Sequence, residues 1–425
     1  MEATYRQVEI NSRGERVDKF LTGNPEISFF KQDTKRYYAY ARNTRAINFE
    51  TNPDFGTTSI IKLNRYGDLV GSINLELELP TLIGTSQIGY CNNIGHAIID
   101  WVEIEIGGNQ IVRLYGEWLH INRELSNKYD QKITHRELTQ YYENMTTSSF
   151  TGGKVIVPLT FWFTENSGLF LPLSAISRHD VIIRFKFHPI SRLWISDDNT
   201  PPVGNYNITN ASLLVDYYIL DQQQKKMFAP IYNDDGGDGG DGNSNKEVAL
   251  YPPKINYKIQ QVQQLKVSIP GNQTTFKIDL DSINFSVGYF VWVLRRTDVS
   301  TTNDWFNFTN VLTGTAVDPL ISAQLYFGEK ERTDVLSAKN LRLLEPYKTF
   351  GNASEDYIYC YFYNLYPNNK VQPSGSANFT FLKDVNLVLN TIPGLPEMEI
   401  LLYAVNYNLL NVENGQCWLQ YLLSN

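Results

Sequence analysis

In the stretch GHAIIDWVEIEIGGNQI, from Gly95 to Ile111, one histidine, three carboxylates and a glycine pair fall within seventeen residues. Three chemistries could use such a set. Paired carboxylates can cleave a glycosidic bond. A histidine and an aspartate four apart can share a metal on one helix face. A glycine pair can bend the backbone around a phosphate. In DWVEIEI, Val102, Ile104 and Ile106 alternate with Glu103 and Glu105, which is the period of a strand. The two glutamates then share one face, with Cα atoms about 6.5–7 Å apart. Retaining glycosidases hold their carboxyls about 5–5.5 Å apart and inverting ones about 6.5–9.5 Å, so spacing alone leaves catalysis open. Carboxylates at i and i+2 are also what the wet face of any sheet displays, and the reading adopted is that Glu103 and Glu105 face solvent. His96 and Asp100 run straight into the strand, which removes the helix a metal pair needs. Gly107 and Gly108 read as a turn with Asn109, because no GxxxxGK[ST] follows.

Elsewhere the sequence holds no HExxH, GxSxG or GxGxxG. His120, His135, His179 and His188 have no Cys or Asp partner at a ligand spacing. Cys91, Cys360 and Cys417 are odd in number, far apart and outside any CxxC. They fit a reducing compartment and give neither a disulfide framework nor a zinc site. The expectation is therefore no catalytic, cofactor-binding or metal-ligating residue. Eight N-x-[ST] sequons occur, at Asn144, Asn207, Asn210, Asn272, Asn284, Asn307, Asn352 and Asn378. Asn272, Asn307 and Asn352 are taken as the candidate glycosylation sites. NDDGGDGGDGNSN (Asn233 to Asn245) alternates Asp with Gly, but it lacks the twelfth-position Glu and the flanking helices of a calcium loop. It reads as a solvated linker.

The elements around these residues are mostly strands. Aromatics reach 13%, with 27 Tyr and 22 Phe, and such residues favour pleated, half-buried surfaces. In SINLELELP, Ile73, Leu75, Leu77 and Leu79 point one way and Asn74, Glu76 and Glu78 the other, until Pro80 ends the run. DVIIRFKF (Asp180 to Phe187), ASLLVDYYIL (Ala211 to Leu220), YFVWVLRR (Tyr289 to Arg296), YIYCYFY (Tyr357 to Tyr363) and MEILLYAVNY (Met398 to Tyr407) read as further strands. Helices are few. RLYGEWLHINREL carries Leu114, Trp118, Ile121 and Leu125 at helical spacing, a stripe that must cover a sheet or a neighbouring chain. THRELTQYYENM follows, with Thr134 and Glu137 at capping-box spacing. A third helix is predicted within Arg332 to Leu344.

Hydrophobic residues make up 42% of the 425 and charged residues 19%, enough for a large core. The net charge of -8 opposes a broad nucleic-acid footprint. The first 45 residues do carry nine Lys or Arg against six Asp or Glu. KQDTKRYYAYARNTR (Lys31 to Arg45) could form a basic, Tyr-bearing arm, but it reads better as a strand with a solvated edge. The opening residues do not read as a secretion signal, and no apolar run approaches membrane-spanning length. The halves on either side of the Gly/Asp segment resemble each other weakly. FWF precedes PLS at Pro172, and YFY precedes PSG at Pro373. In each half a strand ending in Gly is followed by a helix. One β-architecture used twice, as a sandwich or jelly roll, is expected.

A family resemblance rests on several segments. FLTGNPEISFFK (Phe20 to Lys31), IGHAIIDWVEIEIGGNQIVRLYGEWLHI (Ile94 to Ile121), VPLTFWFTENSGLFLPLSAISRHDVIIRFKF (Val157 to Phe187) and ASLLVDYYILD (Ala211 to Asp221) come in the first half. LRLLEPYKTF (Leu341 to Phe350), QPSGSANFT (Gln372 to Thr380) and LLYAVNYNLLNVENG (Leu401 to Gly415) come in the second. With these segments in this order the chain resembles the double jelly-roll major capsid proteins of nucleocytoplasmic large DNA viruses. SANFTFLKDV departs from the pattern, lacking the Arg-Ile-Asp that usually follows PSG. The resemblance implies an all-β fold of two tandem eight-stranded antiparallel jelly rolls with short inserted helices. The corresponding division is an arm over 1–26, a first roll over 27–221, a linker with the Gly/Asp-rich insertion over 222–245, and a second roll over 246–425. It further implies a non-enzymatic subunit whose homotrimers form pseudo-hexagonal capsomers tiling an icosahedral shell, assembled in the host cytoplasm. The implied partners are neighbouring capsomers, minor capsid and penton proteins, and indirectly an inner viral membrane, with no direct contact to nucleic acid and no cofactor. The alternative from the architecture alone is a carbohydrate-binding or glycoside-cleaving jelly-roll protein.

Overall fold

The computed structural model describes residues 23–32, 34–141, 150–228, 231–232, 249–250 and 254–422. The Gly/Asp-rich segment lies outside them. The chain divides at Ala39 into two units. In the first, Ile27, Phe29 and Phe30 are exposed around a turn closed by a Lys31 N–H donating to the Ser28 carbonyl at 3.5 Å. Everything below concerns the second, Tyr40–Asn425.

The first eight principal strands are β1 (Tyr40–Asn48), β2 (Thr58–Lys62), β3 (Leu69–Leu79), β4 (Ile99–Ile106), β5 (Asn109–Tyr115), β6 (Gly153–Pro158), β7 (Val181–Phe187) and β8 (Asn210–Leu220). They pair antiparallel into two sheets, ordered β1-β8-β3-β6 and β2-β7-β4-β5. The next eight are β9 (Ile255–Ile269), β10 (Thr275–Asp279), β11 (Ser286–Arg296), β12 (Leu320–Phe327), β13 (Lys330–Glu331), β14 (Ile358–Phe362), β15 (Val385–Thr391) and β16 (Met398–Glu413). Their sheets run β9-β16-β11-β14 and β10-β15-β12-β13, with short strands Ala377–Asn378, Gln416–Leu419 and Leu336–Ser337 added beside β11, β16 and β12. Adding eight to every label of the first pair of sheets yields the second pair. The chain is thus one eight-stranded jelly roll built twice.

Alternation dictates most of this. In β3, Ile73, Leu75, Leu77 and Leu79 are buried while Asn74, Glu76 and Glu78 line the other face. β11 and β16 break the alternation, because nearly every residue in SVGYFVWVLRR and most of MEILLYAVNYNLLNVE are buried. Their alternate residues enter two different cores. Tyr289, Val291, Val293, Leu401, Tyr403 and Val405 join the core of the first roll. Phe290, Trp292, Leu294, Ile400, Leu402 and Ala404 fill the interior of the second. An apolar run without alternation is what a sheet covered on both faces requires.

Four of the helices among the described residues are inserted within the rolls: α1 (Ile94–Ala97), α2 (Gly116–Ser126), α3 (Tyr129–Thr139) and α4 (Glu345–Phe350), the last preceded by a wider turn over Asn340–Leu344, while a short helix over Gln222–Lys225 follows β8. α2 and α3 sit between β5 and β6, and α4 between β13 and β14, which is the same slot in each roll. Three helix expectations shift. Leu114 belongs to β5, not to the helical stripe. α3 starts five residues before Thr134, because Gln131 accepts from the Lys128 N–H at 3.2 Å, leaving Thr134 to donate inward to the Asp130 carbonyl. The third helix runs from Asn340 to Phe350 rather than from Arg332. Residues Leu336–Ser337 are drawn into the β12 sheet, and Pro346, which lacks the N–H that a first turn leaves unpaired, is accommodated at the start of α4.

Candidate functional site

The glutamates of the opening stretch are not a solvated row. Glu103 is 7% exposed. In register it stands between Arg113 on β5 and Arg184 on β7. Arg113 donates to its Oε2 from Nε at 2.9 Å and from Nη2 at 2.6 Å, while stacking its guanidinium 4.4 Å above Trp101. Arg184 lies 3.9 Å from Glu103 and donates to Glu105 at 2.9 Å. Each carboxylate accepts from a guanidinium through its Oε2, the arrangement of a structural ion pair. A wet face was expected. A cross-strand ion-pair ladder is found, because Arg113 and Arg184 both fall opposite Glu103 in the register and Arg184 reaches diagonally to Glu105. Gly107 and Gly108 form the β4–β5 turn at φ +59° and +82°. A Cβ on Gly107 would sit 2.5 Å from the His179 ring. His96 does not meet Asp100, which instead lies 3.9 Å from His188. Among the described residues no group of three His, Cys, Asp or Glu is arranged to hold a metal ion.

What the structure does build from charged and aromatic side chains is the junction between the rolls. Trp118 of α2, 3% exposed, packs 5.2 Å from the ring of Tyr403 on β16. The stripe therefore covers the second roll of the same chain. Beside it Glu117 accepts from Arg295 of β11 at 3.0 Å, and Arg295 also donates to Glu399 of β16 at 2.8 Å. Lys266 completes the row, 2.9 Å from Glu399. Burial pushes the Glu117 carboxyl up, but the adjacent Arg295 guanidinium, together with a backbone hydrogen bond and the nearby His188, holds the group below the usual carboxylate range. Gly116 opens α2 because a Cβ there would lie 2.3 Å from the His96 and Ile99 carbonyls.

Other bonds tie the rolls together. Trp305 donates through Nε1 to the Arg192 carbonyl at 2.7 Å, under the Arg192 guanidinium at 3.8 Å. Asn303 donates to the carbonyls of Ser191 and Trp194 at 3.1 and 2.8 Å. His179, a histidine without a sequence partner, accepts from the Cys417 N–H at 3.1 Å. His120 meets Asp356 at 3.1 Å, across 236 residues of sequence. None of these long-range pairs has a spacing motif. The signal that could have marked the junction was the uninterrupted apolar run of β11 ending in two arginines.

The three candidate sequon asparagines differ in setting. Asn352 donates through Nδ2 to the carbonyls of Glu124, Leu125 and Asn127 at 3.2, 3.4 and 2.9 Å, closing the junction at the end of α2. Asn307 donates to the Val311 carbonyl at 3.2 Å and accepts from Thr309 of its own sequon. Asn272 is exposed in the turn between β9 and β10 at φ +63°.

Two rolls of identical strand order, fused through a shared core, define a double jelly-roll structural protein. Residues 28–221 match the family described as major capsid protein N-terminus, and residues 252–417 match that of the large eukaryotic DNA virus major capsid protein. The chain belongs to the major capsid proteins of the large eukaryotic DNA viruses. It is 26% identical to the major capsid protein of Pyramimonas orientalis virus, over 95% of this chain and 96% of that one. It is 31% identical to capsid protein 1 of Acanthamoeba polyphaga mimivirus, over 58% of this chain and 46% of that one. Its fold matches the PBCV-1 virus capsid structure with a TM-score of 0.75 at 22% identity, covering 93% of this chain and 100% of the other. Its function is that of a viral capsid protein.

Proposed function

We propose that this chain trimerises and that the trimers, as pseudo-hexagonal capsomers, tile an icosahedral shell. The observation that carries this is the duplication itself. Two rolls with the same strand order and the same helix slot let three chains present six near-equivalent rolls around one axis. Residues 1–26 act as an arm, 27–221 and 246–425 as the two rolls, and 222–245 as the linker between them. The chain carries no enzymatic activity of its own. Neighbouring capsomers, minor capsid proteins and penton proteins are its partners, an inner viral membrane is approached only through them, and nucleic acid is not contacted directly. Assembly takes place in the host cytoplasm. Of the candidate sequons, Asn272 is the one favoured as a glycan acceptor, since its amide is exposed while those of Asn307 and Asn352 are engaged. Electron microscopy of the purified protein tests the reading. Particles with a three-fold axis and a hexagonal outline support it, and single double-roll particles contradict it.

A further inference from the structure

Each of the first three helices contributes one histidine to a single cluster. The His96 ring of α1 stacks on His135 of α3 at 5.0 Å and lies 6.1 Å from His120 of α2. Phe306, from the loop after β11, covers His120 at 4.7 Å and His96 at 6.4 Å. His96 and His120 are 1% and 3% exposed. Both ring nitrogens of His96 and the Nε2 of His135 are sealed from water without a hydrogen-bond partner, as are Asn93 Oδ1 and Arg123 Nε. Buried polar atoms are nearly always satisfied, so a cluster left in this state stores a cost.

The surrounding charges make that cost depend on protons. Arg123 is the cation that bears on both His96 and His135. The carboxylates nearby have partners of their own. Glu124 is held by Lys132 at 3.2 Å and Arg136 at 3.6 Å. Asp356 faces His120, and Asp304, whose carboxyl burial pushes up, accepts from Asn307. Tyr141 lies against His120 at 5.4 Å. His120 already has Asp356 opposite its Nε2, at 3.1 Å. A proton on His96 or His135 would find only other imidazoles and a guanidinium.

We propose that this three-helix cluster is an acid-sensitive latch that holds α1 and α3 against the roll junction while its imidazoles are neutral and releases them when they protonate. Burial, with the neighbouring histidines and Arg123, pushes His96 well below the ordinary imidazole value, and burial with Arg123 and His120 takes His135 down to about 3. The folded values lie below the unfolded ones. The stabilisation is therefore fully present above an ordinary imidazole value of about 6.5 and is lost as pH falls from there towards the folded values. Within that window the open form gains up to roughly tenfold in population per pH unit for each of the two histidines. β3 and β11 carry no histidine and serve as the reference segments.

Hydrogen exchange of the full chain at pH 7.5 and pH 5.0, corrected for the intrinsic rate, tests this. Peptides spanning Ile94–Ala97 and Tyr129–Thr139 should lose protection at pH 5.0 while those of β3 and β11 keep theirs. The variant His135→Phe, which preserves the stacked ring and removes the titrating nitrogens, should cut the pH response of these peptides about tenfold per pH unit within the window. The latch is overturned if the wild type keeps its protection in α1 and α3 at pH 5.0 or loses it uniformly across both rolls. It is equally overturned if folded His135→Phe responds to pH as the wild type does. Should that variant not fold, the wild-type pattern decides alone.

Discussion

Glu103 and Glu105 look equivalent along the strand and are not. Glu103 is enclosed by Arg113 and Arg184, whereas Glu105 shares only Arg184. Glu105→Gln should change stability by within about 0.5 kcal/mol, the usual range for surface substitutions. Glu103→Gln should cost about 1–2 kcal/mol, because it weakens the charge-assisted bonds from Arg113 and removes the charge facing Arg184, two guanidinium groups that remain in place and are themselves about one-third exposed. Urea unfolding of the two variants checks the difference, and equal midpoints would contradict the ladder. The sequons separate at the same scale. Expressed where glycosylation occurs, the protein should carry glycan at Asn272, and peptide mass spectrometry should find Asn352 unmodified, since a sugar on Nδ2 would displace it from three carbonyls.

At the scale of elements, α2 is the part that joins the two rolls. Trp118→Ala removes the ring that packs on Tyr403 and should cost about 3–5 kcal/mol, the range for deleting an enclosed large aromatic. Thermal unfolding of the variant should show a lowered and broadened transition as the rolls uncouple, with the oligomer retained at low temperature. Loss of the oligomer with an unchanged melting temperature would instead put Trp118 at a contact between chains. Much of the element map was legible beforehand. β7 and β8 were legible to within a residue and β3 from Ser72 onward, its first three residues being missed, and the Gly-bounded strand before each inserted helix is the β4 or β12 arm of a hairpin. The helix starts were not legible, because a Thr and a Glu at capping spacing occur inside α3, where helix propensity alone cannot distinguish a start from an interior turn. The ladder and the junction were hidden for a different reason. Arg113, Arg184, Arg295 and Asp356 reach their partners through sheet register and roll-to-roll contact, and neither is a local property of sequence.

For the whole molecule, the shared core makes the two rolls one unit, so any capsomer symmetry must act on the fused pair. β1 adds to this, since among the described residues it is an edge strand that is mostly exposed and pairs with β8 alone. An edge nine residues long is a surface that soluble proteins cover or charge, and here it carries Arg42 and Arg45. Permanent assemblies typically bury about 2,000–5,000 Å² per interface and do not dissociate on dilution. The most direct test of the capsomer reading is therefore light scattering on the full-length protein as it elutes from a sizing column, repeated over a wide range of loading concentrations. The mass should be three times the 48.8 kDa of one chain and independent of concentration. A single-chain mass that persists at every concentration would contradict it.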